Sequence, residues 1–424
     1  MNLDELTSKI SEKYFSLATN INIVSEVDGE IYRIMFDKDL CENYDFLFHN
    51  AENILTKAFD IGLVRTEYLG KNAQGHVILK HKKFEHQSMW YEWTLPQIRD
   101  AIIMTLKIQN ILTETSALIF DPNTWNVTFD YTRPIFFDFG SIKLGNIEPQ
   151  IWLRSFWLGG NRLQSWHEKL GITWAELQDL LLNDKYTSYN SQIDYIEKLS
   201  LLEIRQSEWT NYDKHHFKFE DEITWQDKHR TVKKLLEISQ PKTVMEIGSN
   251  TGEFTKMMLK LGVKSVVACD IDDLSIRKLY EEAKKDNLKI TPVCFDAFHT
   301  YNYFGGGTRQ THIDDWRMRR LIASERFKLD TVTAISLTHH ICYWRNMSFD
   351  KYAEIISLYS KKWAIVEWIP YDDECLEGPI NKFGKDKSWY IEDNFIASFK
   401  KYFPGAMFEA QSSPEKRKMF LFQK

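Results

Sequence analysis

The sequence contains no apolar run approaching the roughly 18 residues that span a bilayer, so no membrane insertion is expected. It also contains no CxxC pair. Its five cysteines (Cys41, Cys269, Cys294, Cys342 and Cys375) are odd in number and scattered. Neither a zinc site nor a disulfide framework is expected from them; no metal is assigned, and a reducing cytoplasm fits. An excess of positive charge is missing too. The net charge is -6, whereas tight nucleic-acid binding needs clustered Lys and Arg against phosphate, so no nucleic-acid partner is expected. The opening MNLDELTSKI lacks the basic and apolar regions of a secretory signal, which again points to the cytoplasm. Internal repeats and low-complexity segments are absent.

What is present is long and rich in rings. A chain of 424 residues exceeds what one hydrophobic core usually supports, so two domains are the starting expectation. Aromatic residues reach 14%, with Trp at 14 and Tyr at 19 occurrences. Flat aromatic faces stack on sugars or bases, but large aromatics mostly fill cores. Trp152, Trp157 and Trp166 are therefore candidates for a wall over a sugar, with core packing as the alternative.

Local patterns divide the chain in three. NIVSEVDGEIYRIMF reads as two short strands around the tight-turn pair Asp28-Gly29. YDFLFHNAENILTKAFDIGLV has a helical period, and HVILKHKKF alternates like a strand. TLPQIRDAIIMTLKIQNILTE predicts a helix capped by Thr94, with Pro96 in its first turn. Residues 1–147 thus read as an α+β domain. Residues 148–221 read as a helical, aromatic-rich connecting segment. From 222 to 424, strands and helices alternate, which predicts a parallel sheet flanked by helices.

The chemistry of the last part starts at VMEIGSNTGEF. An apolar run ends in Glu246, followed by Gly248, Ser249, Asn250, Thr251 and Gly252, and then a helix. Glycines let the backbone turn sharply and approach a ligand closely. The helix N-terminus presents N–H groups to a carboxylate or phosphate. The next strand, SVVACD, ends at Asp270, followed by Ile271, where a carboxylate can accept from both hydroxyls of a ribose. A dinucleotide site would need G-x-G-x-x-G, and Asn250 stands where its middle glycine belongs.

Glu246-x-Gly248-x-x-x-Gly252 instead resembles the first motif of class I S-adenosylmethionine-dependent methyltransferases. That resemblance implies a Rossmann-like α/β fold with a mostly parallel seven-stranded sheet. ITPVCFDAF then looks like the third strand, with Asp296 and Ala297 at the adenine; DTVTAISLTHHICY looks like the fourth and WAIVEWIP the fifth. AMFEAQSSPEKRKMFLF reads as the closing antiparallel hairpin. Methyl transfer needs an acceptor placed close, aligned and deprotonated. His339 and His340, at the end of the fourth strand, are candidate bases. Glu367, at the end of the fifth, is a candidate for orienting the acceptor.

A second pattern lies upstream. Asp121-x-x-x-x-Asn126, followed twelve residues later by Asp138-Phe139-Gly140, has the spacing of a kinase catalytic loop and metal-binding triplet. Yet Ile119-Phe120 replace the His-Arg before the catalytic Asp, and Asn123 replaces the Lys two positions after it. No glycine-rich loop and no V-A-I-K segment precede them, so β- and γ-phosphates would be poorly held. The expectation is a kinase-like but degenerate domain.

Both halves together resemble the bacterial class I methyltransferases related to nodulation protein NoeA, over roughly residues 30 to 424. WYEWTLPQIRDAIIMTLKIQNILTE, FDPNTWNVTFDYTRPIFFDFGSI, MEIGSNTGEF, ERFKLDTVTAISLTHHI and IVEWIPYDD carry that likeness. It implies S-adenosyl-L-methionine as cofactor and a small-molecule or saccharide acceptor in surface-glycan biosynthesis. The middle segment here departs from that family in being shorter and more aromatic. Two alternatives stand beside it: a bifunctional methyltransferase-kinase acting on a glycan, and a non-catalytic binding protein that retains the cofactor fold.

Overall fold

The computed structural model describes residues 2–12, 22–159, 165–199, 207, 209, 218–299, 322–373, 376, 388–412 and 416–424. The described residues up to Leu199 form one compact unit and those from Ser207 onward a second.

The first unit opens with α1 (Leu3–Glu12), then β1 (Asn22–Val27) and β2 (Glu30–Met35). Asp28 (φ 52°) and Gly29 (φ 84°) make the left-handed turn that joins these strands, as a two-residue hairpin requires. The helical run that follows is two helices, α2 (Lys38–Asn50) and α3 (Glu52–Ile61), broken at Ala51, whose ψ of 26° is not helical. The sequence period does not register that break, because the buried residues run on across it: Leu40, Tyr44 and Leu47 in the first helix, Ile54, Leu55 and Ala58 in the second. Strands β3 (Thr66–Lys71) and β4 (Val77–His81) complete an antiparallel sheet in the order β1-β2-β4-β3.

Helix α4 (Leu95–Leu112) begins as its sequence predicts: Gln97 Oε1 accepts from the Thr94 backbone N–H at 3.0 Å, and Pro96 sits in the first turn. Beyond it come β5 (Ala117–Ile119), β6 (Val127–Asp130), β7 (Arg133–Phe136) and β8 (Ile142–Leu144), paired as the two ribbons β5·β8 and β6·β7. Helices α5 (Pro149–Leu158), α6 (Trp166–Leu170), α7 (Trp174–Leu182) and α8 (Tyr189–Lys198) belong to the same unit.

The three tryptophans offered above as a sugar wall lie in this helical part, and all are buried. Their indole N–H groups donate to Ile119 O (2.7 Å, Trp152), Gln192 Oε1 (2.6 Å, Trp157) and Pro122 O (2.8 Å, Trp166). Buried rings whose single donor is satisfied inside the protein are core, and the core alternative holds.

The second unit is a seven-stranded sheet. Helix α9 (Asp227–Ser239) leads into β9 (Thr243–Ile247), α10 (Glu253–Lys260), β10 (Ser265–Asp270), α11 (Asp273–Lys285) and β11 (Ile290–Cys294). Then follow β12 (Leu329–Ala334), β13 (Ser360–Trp368), β14 (Met407–Gln411) and β15 (Lys418–Gln423). The order is β11-β10-β9-β12-β13-β15-β14. The first five strands run parallel, and β15 pairs antiparallel with both β13 and β14. Parallel strands covered on both faces read as near-continuous apolar runs, and β9 to β12 are buried almost throughout. The order reverses between β9 and β12, and such a switch point opens a crevice at the carboxyl ends of the strands.

Candidate functional site

A cavity of about 340 Å³ opens at that switch point, entirely within the second unit. Its base is the turn after β9. Gly248 and Gly252 hold φ of +79° and +81°, a backbone region that side chains strongly disfavour. A side chain at Gly252 would also force the buried Leu279 to shift, since a Cβ there would lie 2.5 Å from Leu279 Cδ1. Asn250, between them, takes φ 47°, which a short polar side chain tolerates.

Asp270, at the end of β10, closes one side. Its Oδ2 accepts from Asn250 N (2.8 Å) and its Oδ1 from Asp272 N (2.9 Å), which fixes the carboxylate. Burial raises its pKa, and these N–H donors pull it back. Ile271 and Ala297 also line the cavity. So does Asp296, whose Oδ1 accepts from Phe298 N (3.0 Å) while its Oδ2 pairs with Arg345 Nη1 (2.6 Å). Ser249 lines the cavity with its Oγ buried and unpartnered among the described residues. Such an atom is costly unless something bonds it, so the turn fits a polar ligand.

The structure does not bring every candidate to this wall. Gly248, Ser249, Asn250, Asp270, Ile271, Asp296, Ala297 and His340 line it; Glu246, Thr251, Gly252, His339 and Glu367 do not. Glu246 points inward, where it accepts from Thr255 Oγ1, and burial pushes its pKa to about 8. Glu367 is 1% exposed and accepts from Ser336 N (2.8 Å), Ser336 Oγ (3.1 Å) and Ser412 Oγ (2.8 Å). It ties the ends of three strands together beneath the cavity wall, where Ser336 sits at φ 54°.

The two histidines belong to a six-residue π-helical turn, His339–Trp344. His339 is buried, with its Nδ1 unpartnered among the described residues. Burial first, then the neighbouring His340 and Arg417, bring its pKa down to about 3. His340 faces the cavity, and burial and then Arg345 lower its pKa too. At neutral pH both rings are uncharged, and His340 is the one able to take a proton from a bound molecule. The edge of Trp209 meets His340 at 5.0 Å, and the Trp209 carbonyl accepts from Asn250 Nδ2 at 3.0 Å.

Trp209, Lys228, Glu253, Ser336 and Arg345 also line the cavity and were missed in the sequence. Glu253 carried a faint signal, since it directly follows the second glycine. Ser336 and Arg345 flank the candidate histidines, while Trp209 and Lys228 come from segments before β9 and carried no signal.

In the first unit, Asp121 is exposed and lies within its own loop's hydrogen bonds. Asn123 Nδ2 donates to its Oδ1 (2.6 Å) and Asn126 Nδ2 to its Oδ2 (3.1 Å). Asp138 is engaged by a cation that the sequence reading overlooked: Arg33 of β2 places Nη2 2.8 Å from Asp138 Oδ1. Arg33 Nε also donates to His81 Nε2 at 3.3 Å. Among the described residues, no cluster of three or more His, Cys, Asp or Glu side chains is placed to hold a metal ion. None of the described helices is long and apolar enough to cross a membrane.

No protein-family model matches the chain. It is 22% identical over 416 residues to nodulation protein NoeA of Rhizobium meliloti (strain 1021), covering 83% of this chain and 84% of that protein. Three alignments to solved structures span nearly half of the chain. One is to the methyltransferase domain of bacterial CtHen1-CN (14% identity, 47% of this chain and 98% of that one, TM-score 0.32). Another is to magnesium protoporphyrin IX methyltransferase from Synechocystis PCC 6803 with bound SAH (13% identity, 47% and 83%, TM-score 0.31). The third is to the bifunctional kinase-methyltransferase WbdD (14% identity, 46% and 37%, TM-score 0.29).

Proposed function

We propose that the chain is an S-adenosylmethionine-dependent methyltransferase whose cofactor occupies the cavity of the second unit. One observation carries this reading: the glycine turn after β9, Asp270 ending β10 and Asp296 just beyond β11 converge on a single cavity at the switch point. The turn and its unpartnered Ser249 Oγ would hold the methionine end, Asp270 the ribose hydroxyls and Asp296 the adenine amino group. When bound, this cofactor supplies an electrophilic methyl group on a sulfonium. The protein's part is to position and deprotonate the acceptor. His340 accepts the proton of an acceptor hydroxyl or amine at a ring nitrogen, while Glu367 and His339 hold the wall behind it.

A small-molecule or saccharide acceptor, in surface-glycan biosynthesis, is the substrate class that the likeness to NoeA supports. The first unit, in this reading, binds or presents the acceptor without transferring phosphate. Arg33 already neutralises Asp138, and Asn126 is hydrogen-bonded to Asp121, so the motif side chains are committed to protein partners. Calorimetry of the full chain with S-adenosylhomocysteine tests the cofactor, with binding expected; absence of heat at any concentration rejects the reading. Mass spectrometry of host glycans with the gene present and deleted then identifies the acceptor as a shift of one methyl group.

A further inference from the structure

The amino-acid end of the cavity raises a problem of supply. A methionyl tail carries an ammonium and a carboxylate side by side, and each needs a partner once water is stripped away. The glycine turn has few donors left to offer. The N–H groups of Gly248 and Ser249 both donate to Cys269 O (2.8 and 3.0 Å), that of Asn250 to Asp270 Oδ2 (2.8 Å) and that of Gly252 to Ser249 O (2.8 Å). Glu246 has no oxygen on the cavity wall, since it lies buried against Thr255.

Two other side chains at this end carry the missing charges. Glu253, the first residue of α10, lines the cavity and is held by His229, whose Nε2 lies 2.6 Å from Glu253 Oε1. The ring of His229 is fixed in turn. Its Nδ1 accepts the backbone N–H of Gln226 at 3.0 Å, so the proton sits on Nε2 and is donated to Glu253. The ring also stacks on Phe254, with centroids 4.9 Å apart and planes 24° apart. Glu253 Oε2 has no protein donor among the described residues. Lys228, next to His229 on α9, lines the same end, with its Nζ 5.5 Å from the Phe254 ring centroid and no carboxylate partner among the described residues.

We propose that Glu253 and Lys228 form a subsite for the zwitterionic end of the nucleoside. Glu253 takes the α-ammonium and Lys228 the α-carboxylate, with His229 as the positioning residue that aims Glu253. This rests on the cavity being an adenosylmethionine site. Opposite charges on one wall suit a zwitterion, whereas a pair of like sign would leave one of its groups unpaired. The imidazole, anchored by the Gln226 backbone N–H at Nδ1, fixes the direction of the carboxylate through Nε2.

Two probes separate this subsite from the rest of the cavity. S-adenosylhomocysteine carries the full amino-acid tail; 5′-methylthioadenosine shares the nucleoside and the sulfur but has no zwitterion. Calorimetry on the full-length protein is expected to show the first binding at least about tenfold more tightly, as charge-assisted hydrogen bonds allow. Glu253→Gln and Lys228→Met should each weaken S-adenosylhomocysteine by about tenfold and leave methylthioadenosine within about twofold. His229→Gln should weaken S-adenosylhomocysteine severalfold, and the His229→Gln/Glu253→Gln pair should be no worse than Glu253→Gln alone, because one residue acts through the other. Unchanged S-adenosylhomocysteine affinity in Glu253→Gln, or an equal loss for both probes, overturns the subsite while the cofactor reading survives. Wild-type protein that binds neither probe overturns both. Glu253 is less buried than His229, so its variant carries the test should the His229 variant misfold.

Discussion

The rings of His339 and His340 lie 3.9 Å apart, centroid to centroid, yet one faces the cavity and the other the core. Adjacent residues in a wide helical turn are aimed differently, and that difference divides their roles. His340→Gln should lower methyl-transfer turnover by about a hundredfold or more, the usual worth of a positioned general base. S-adenosylhomocysteine affinity should change less than about threefold. Single-turnover kinetics beside calorimetry decide it, and full activity in the variant removes His340 as the base.

His339 sets a pH limit on stability. Its folded-state pKa is about 3 against an ordinary 6.5 in the unfolded chain. Above pH 6.5 neither state binds the proton and the residue contributes nothing. Between about 6.5 and 3 the unfolded chain binds more protons, so stability falls as pH falls, and the loss is complete below about 3. From pH 7 to pH 5 the loss is at most about 2 kcal/mol. Urea unfolding at pH 7, 6 and 5 should show a shallower decline in His339→Gln than in wild type; parallel declines refute the assignment.

Asp270 accepts two backbone N–H groups, which aim its carboxylate before any ligand arrives. Asp270→Asn replaces an acceptor with a donor at a position where only acceptors fit. S-adenosylhomocysteine affinity should fall by at least about tenfold. Unchanged affinity would place the ribose elsewhere.

Gly252→Ala tests the turn itself. The new methyl group meets Leu279 Cδ1 at 2.5 Å in a left-handed conformation. We expect a stability loss of about 1 to 3 kcal/mol from strain and overpacking, together with weakened nucleoside binding. Thermal melts with and without S-adenosylhomocysteine measure both.

In the first unit, Arg33→Met leaves Asp138 without its cation and His81 Nε2 without its donor. Denaturant unfolding should show a loss of about 2 kcal/mol, in the range for a charge-assisted bond. Asp138→Asn should leave methyl transfer largely intact and, like wild type, show no ATP–magnesium binding by calorimetry. Saturable ATP binding that depends on Asp138 would instead favour a bifunctional enzyme.

The β-branched runs, the Asp28-Gly29 turn and the Thr94 cap were legible because each is a local preference, written within a few residues of where it acts. So were the turn after β9 and the carboxylate ending β10, since spacing along parallel strands places their ends together. The break at Ala51 was not legible, because an amphipathic period runs through it. What tertiary structure alone decided is which polar groups meet. Glu246 turned to Thr255 and Glu253 to the cavity, His339 went inward and His340 outward, and Arg33 came to face Asp138 across 105 residues of chain. Burial and convergence depend on how distant elements pack, and a chain's own sequence periods do not carry that information.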